Sequence, residues 1–135
     1  MDTMTAQARS QRMSLIRGKD TKPEMLVRRT AHALGFRYRL HVTQFPGAPD
    51  LVFPRLGKLI FVHGCFWHRH PGCELARLPK SKLDFWVPKL NGNRERDIKN
   101  IKKLRRDGWQ VKVIWECQTI HPQRLNQTIE RFLNS

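Results

Sequence analysis

LIFVHGCFWHRHPGC, residues 59–73, opens as an unbroken apolar run and ends in thiols, imidazoles and two large rings. Leu59 to Val62 reads as a buried strand. Core packing alone does not call for two His and two Cys within residues 65–73, and a solvated loop does not carry Phe66 and Trp67 beside them. The combination points to chemistry at the end of a strand.

Working outward, Lys58 to His63 (KLIFVH) follows a turn at Pro54 to Gly57, and Asp50-Leu51-Val52-Phe53 forms a short strand before it. Paired antiparallel, these two strands bring Asp50 and His63 side by side. Upstream, Phe45 to Pro49 is a loop, and Phe36 to Val42 (FRYRLHV) alternates like a half-buried strand. Thr21-Lys22-Pro23-Glu24 starts a helix: Thr21 can cap, Pro23 suits the first turn, and Glu24 stands three residues after the cap. Gly35 can close it.

Downstream, Gly64 to Lys82 has no periodicity, so it is a functional loop or one held by something other than packing. Asp84 to Asp107 is helical, with Asn91-Gly92-Asn93 a candidate break and Ile98, Ile101 and Leu104 as its buried stripe. Gln110 to Trp115 is a strand and Pro122 to Leu133 a closing helix. The order predicts an α/β fold, a mixed sheet flanked by helices.

Lys and Arg number 26 against 11 Asp and Glu, a net charge of +15. A monomer this basic repels itself, and nucleic acid is the expected partner. No amphipathic basic helix suggests a membrane. A polar, basic N-terminal arm (1–20) would precede one domain (21–135). Three Cys argue against a disulfide framework. With no apolar run suited to a signal peptide or span, the chain reads as soluble, cytoplasmic and reduced.

Cys65, His70 and Cys73, with Cys117 just after the last strand, supply three thiolates and one imidazole, a complete tetrahedral set for structural Zn²⁺. The loop would then be folded by metal rather than by apolar burial. The alternative is three unrelated buried Cys. In extended chain His68 faces away from a metal-bound His70, free to act as a general base. Asp50, an acid in a basic chain, can seat Mg²⁺ or simply cap the loop before it. Trp109 and Trp115 read as core.

The segments PGAPD (46–50), FVHGCFWHRH with Cys73 (61–73), DFW (84–86), NRERD (93–97) and VIWEC (113–117) together resemble the very short patch repair (Vsr) DNA mismatch endonuclease family. The resemblance implies a fold like that of type II restriction endonucleases, although Val62 and Gly64 stand where their Glu-x-Lys would follow Asp50. It implies a nick in one strand of double-stranded DNA beside a T:G mispair left by deamination of 5-methylcytosine, with Mg²⁺ as catalytic metal. On this pattern Asp50 and the backbone carbonyl of Val62 bind Mg²⁺, His68 is the base, and His63 and Glu24 complete the catalytic set. The zinc ligands are again Cys65, His70, Cys73 and Cys117. Phe66, Trp67 and Trp86 form an intercalating wedge, with Met13 entering from the opposite groove. Mismatch-repair proteins and a companion cytosine methyltransferase are the implied partners, and the bound enzyme would sit on the nucleoid. A zinc-stapled DNA-binding module without catalysis, or a related restriction-type endonuclease, is the alternative.

Overall fold

A computed structural model of the protein describes residues 20–135. The expected arm, apart from Asp20, and with it Met13, lies outside the described residues. Helix α1 (Lys22–Ala33) starts as its sequence requires: Thr21 Oγ1 accepts from the Glu24 amide at 3.4 Å, and Glu24 Oε2 accepts from the Thr21 amide at 3.1 Å. This reciprocal cap satisfies two orphan donors and also holds the Glu24 carboxylate in place.

Strands β1 (Leu51–Phe53) and β2 (Lys58–His63) pair antiparallel, Leu51 opposite Ile60. Strand β3 (Gln110–Trp115) lies on the other side of β2 and runs parallel to it, from Lys58 opposite Gln110 to His63 opposite Trp115. A parallel neighbour requires a crossover, supplied by the 64–82 loop and helix α2 (Leu83–Arg106). Helix α3 (Pro122–Leu133) closes the chain.

All six residues of β2 are buried because each face of the sheet is covered. Leu51, Phe53, Ile60, Val62 and Ile114 pack against Val27 and Ala31 of α1 and Leu125, Ile129 and Leu133 of α3. On the opposite face Val52, Leu59, Phe61 and Val111 meet Leu104 of α2. Lys58 is 2% exposed, and its ammonium donates to the carbonyls of Phe132 (2.7 Å), Leu133 (3.1 Å) and Ser135 (2.8 Å). A cation at a helix C-terminus satisfies carbonyls that have no partner within the helix, tying the start of β2 to the end of α3.

Three expectations change. Residues 36–42 form no strand; Arg39 makes one bridge with Val52. His41, at φ +57°, turns the chain out of extended conformation, although Phe36, Tyr38 and Leu40 still pack on the core. Helix α2 runs unbroken through Asn91-Gly92-Asn93, where the buried Leu90 and a hydrogen bond from Asn93 Nδ2 to the Trp67 carbonyl (3.1 Å) hold it. Ile98 is half exposed; the inward stripe passes through Leu90, Asp97, Ile101 and Leu104, which keep helical phase.

Candidate catalytic and metal centres

Two acids meet beside the C-terminal end of β2. The Asp50 amide donates to the Ile60 carbonyl at 3.0 Å, and the Asp50 Oδ2 accepts from the Val62 amide at 2.6 Å. The carboxylate thus takes the place of a backbone carbonyl where the β1–β2 ladder ends. Gly47, at φ +78°, lets the preceding loop pass close to Phe61 and Asn100, each 3.2 Å from where a Cβ would sit. Burial pushes the Asp50 carboxyl up to about 8, and a hydrogen bond to the Glu24 carboxyl adds to the rise. Arg28 opposes it, and its guanidinium lies 3.6 Å from Glu24 and 2.6 Å from Asp20. Crowded carboxyls with one held neutral are what a divalent cation relieves.

On the α2 side of the same strand end stand two imidazoles. His63, 5% exposed, stacks on His68 with centroids 3.9 Å apart and planes within 6°. Burial, and secondarily the neighbouring His68, lower the His63 pKa to about 4, so this ring is neutral. His68 Nδ1 lies 2.5 Å from Asp97 Oδ2. A carboxylate can only accept here, so Nδ1 carries the hydrogen, and in the neutral ring Nε2 is the acceptor. The NRERD segment contains Asp97 but gives it no role. Its signal was an acid in phase with Leu90, Ile101 and Leu104, on the stripe that ought to be apolar.

The Cys/His cluster lies next to this pair. His70 Nδ1 is 3.6 Å from Cys65 Sγ and 3.5 Å from Cys117 Sγ, and the donor atoms of Cys65, His70, Cys73 and Cys117 all lie within 4.8 Å of one another. Zn–S bonds of about 2.3 Å and Zn–N bonds of about 2.0–2.1 Å in a tetrahedron give an N···S edge of about 3.5 Å, so the residues fit the ion. Burial pushes the Cys65 thiol up to about 12 and raises that of Cys117. A bound cation reverses that shift by favouring thiolate. Glu116 Oε1 accepts from the Cys65 amide at 3.2 Å, and the Cys117 amide donates to Cys65 Sγ at 3.4 Å.

His68 and His70 do face different partners, though not through an extended chain. The loop is a series of turns, with the His68 amide bonded to Gly64 O and the His70 amide to Cys65 O. Arg69, at φ +54°, reverses the chain between them. Trp115 is not plain core: it stacks on His70 at 4.2 Å and meets His63 edge-on at 5.3 Å, so one ring touches both centres. Trp109 does pack into the core, edge-on to Phe45 at 5.0 Å.

Phe66, Trp67 and Trp86 form one half-exposed cluster, with centroids 5.1 to 5.9 Å apart. Phe85, which the DFW segment contains without a role, is 56% exposed and meets Trp86 at 5.0 Å. Among the described residues, no helix is long and apolar enough to cross a membrane.

The model of the family described as DNA mismatch endonuclease Vsr matches residues 1–75. The chain is 46% identical over 117 residues to the type II nicking enzyme V.XorIIP of Xanthomonas oryzae pv. oryzae, covering 87% of this chain and 85% of that protein. It is 42% identical over 132 residues to the nicking enzyme V.NmeAIP of Neisseria meningitidis, covering 95% and 94%. It is 38% identical over 109 residues to the DNA mismatch endonuclease Vsr of Escherichia coli, covering 81% and 69%. A match spanning both centres at this identity makes the chain a DNA endonuclease, and it belongs to the Vsr family of DNA mismatch endonucleases.

Proposed function

We propose that the protein nicks one strand of duplex DNA beside a T:G mispair, by Mg²⁺-dependent hydrolysis of a phosphodiester on a restriction-endonuclease-like core. The observation that carries this reading is that one strand, β2, joins both parts. Its Val62 amide binds Asp50, which is hydrogen-bonded to Glu24, and its His63 stacks on a His68 oriented by a third acid, Asp97.

Asp50 and Glu24 would hold Mg²⁺, with the carbonyl of Val62, whose amide already faces Asp50. When bound, Mg²⁺ supplies charge stabilisation at the phosphate and the leaving oxygen. His68 Nε2 takes a proton from the attacking water as the new O–P bond forms. Asp97 holds the opposite nitrogen and stabilises the imidazolium. The P–O3′ bond breaks, leaving a 3′-hydroxyl and a 5′-phosphate. His63, neutral and stacked on His68, fixes the plane of that ring. Cys65, His70, Cys73 and Cys117 would hold Zn²⁺ with a full ligand shell, giving it a structural role.

Phe66, Trp67 and Trp86, clustered and half exposed, would wedge between base pairs. Unstacking costs a few kcal/mol per step and least at a mispair, so the wedge itself favours defective DNA. Incubating T:G and matched duplexes with Mg²⁺ tests the proposal: nicks confined to one strand of the T:G duplex are expected. Equal cutting of both duplexes, or none of either, defeats it.

A further inference from the structure

Between the metal loop and α2 lies a cleft of about 170 Å³, with Arg69, Gly72, Cys73 and Ala76 on one side and Arg94 on the other. The catalytic reading uses neither arginine. Arg69 is held in a set position, its backbone left-handed and its Nη1 donating to the Ala76 carbonyl at 3.1 Å. Among the described residues, no carboxylate lies within ion-pair distance of either guanidinium. The nearby acid Asp97 is engaged by His68. Two cations therefore share a polar recess with no carboxylate paired to either, an arrangement suited to a phosphate group.

Position relates the recess to the reaction. Arg69 follows His68 directly in the chain, and Arg94 precedes Asp97 by three residues on α2. Residues three apart lie on one helix face with an axial separation of about 4.5 Å. Two residues lining the cleft thus neighbour the His68–Asp97 pair, one along the loop and one along the helix.

We infer that Arg69 and Arg94 clamp a backbone phosphate of the DNA next to the scissile one, and so set the register in which the reacting phosphate meets His68. This rests on the endonuclease reading. Its rival is that the guanidiniums offset the net negative charge of three thiolates around a divalent ion.

The test uses full-length, zinc-loaded protein in Mg²⁺-free buffer and a T:G duplex whose nicked strand carries a single uncharged methylphosphonate at successive positions. In the wild type, one position beside the nick should weaken binding. In Arg94→Gln the same substitution should cost nothing further, because the pair is already broken. The slope of log affinity against log salt should fall by about 1, and Arg94→Lys should restore most of it. An Arg94→Gln protein with unchanged salt slope and unchanged methylphosphonate sensitivity overturns the clamp. Faster zinc loss to a chelator with the slope unchanged establishes the rival. Arg94 carries the decision, because Arg69→Gln also releases Ala76. Wild-type protein that binds with a steep salt slope yet never nicks T:G DNA would sink the enzyme reading and with it the register role. A nicking wild type with an unaltered Arg94→Gln slope sinks the clamp alone.

Discussion

His68 and His70 are separated by one residue, yet one ring meets a carboxylate and the other meets thiols. The His70 surroundings are closed: three sulfurs and one nitrogen make a shell with no vacancy for substrate. The His68 surroundings are half open, with one nitrogen fixed by Asp97 and the side chain 30% exposed. Identical side chains acquire different chemistry from the acids and thiols that neighbouring elements bring to them. The left-handed turn at Arg69 is the device that separates them. Trp115 lies against both, so the closed site buttresses the open one.

The largest effect should come from opening the closed site. His70→Ala should lose its equivalent of zinc, measured by metal analysis, and unfold the loop. Binding a structural zinc is worth about 10 kcal/mol or more, so nicking and thermal stability should fall together. His68→Ala should differ sharply. It should keep its zinc and its affinity for T:G DNA while single-turnover nicking falls about 10²- to 10⁴-fold. If both variants lost zinc alike, the division of labour would be wrong.

The stacked partner sharpens the comparison through pH. Above about pH 6.5 His63 is neutral in both folded and unfolded chains. As pH falls, the unfolded chain takes up a proton that the buried ring refuses until about pH 4. Stability should therefore drop by about 3 kcal/mol across this window and level off below it. Urea unfolding of wild type and His63→Phe between pH 7 and 4 measures it: the difference between the two curves should shrink as pH falls. A constant difference would mean that His63 titrates freely.

A smaller effect belongs to the acid that orients the base. Asp97→Ala should lower nicking about 10- to 100-fold. Combined with His68→Ala it should add almost nothing, since the two act as one unit. Additive losses would show that Asp97 acts elsewhere. In the wild type the same carboxylate should hold the His68 Nδ1 proton, visible as a strongly downfield imidazole N–H resonance that disappears in Asp97→Ala.

Legibility varied with the reach of each signal. The α1 cap was readable because Thr21 and Glu24 are three residues apart and satisfy each other locally. The metal set was readable because it uses all three Cys, two of them in a loop without periodicity. Asp97 was missed because Ile98 beside it looked like the better core residue, and only the phase set by Leu90 and Leu104 decides between them. Phe36 to Val42 kept its apolar alternation but not its ladder, since alternation reports burial whereas pairing needs a partner in register.

Taken alone, the chain determined what is local: its helices, its buried central strand, the donor types for a closed metal shell and an excess of positive charge. Spacing along the backbone controls each of these through hydrogen bonds and side-chain periodicity within a few residues. Only the tertiary structure decided that Glu24 lies against Asp50, that Val62 offers its amide there, that Asp97 reaches His68 across 29 positions and that Trp115 touches both imidazoles. Those contacts join residues from different elements, and their energies depend on how helices pack on the sheet, which no short stretch of sequence encodes.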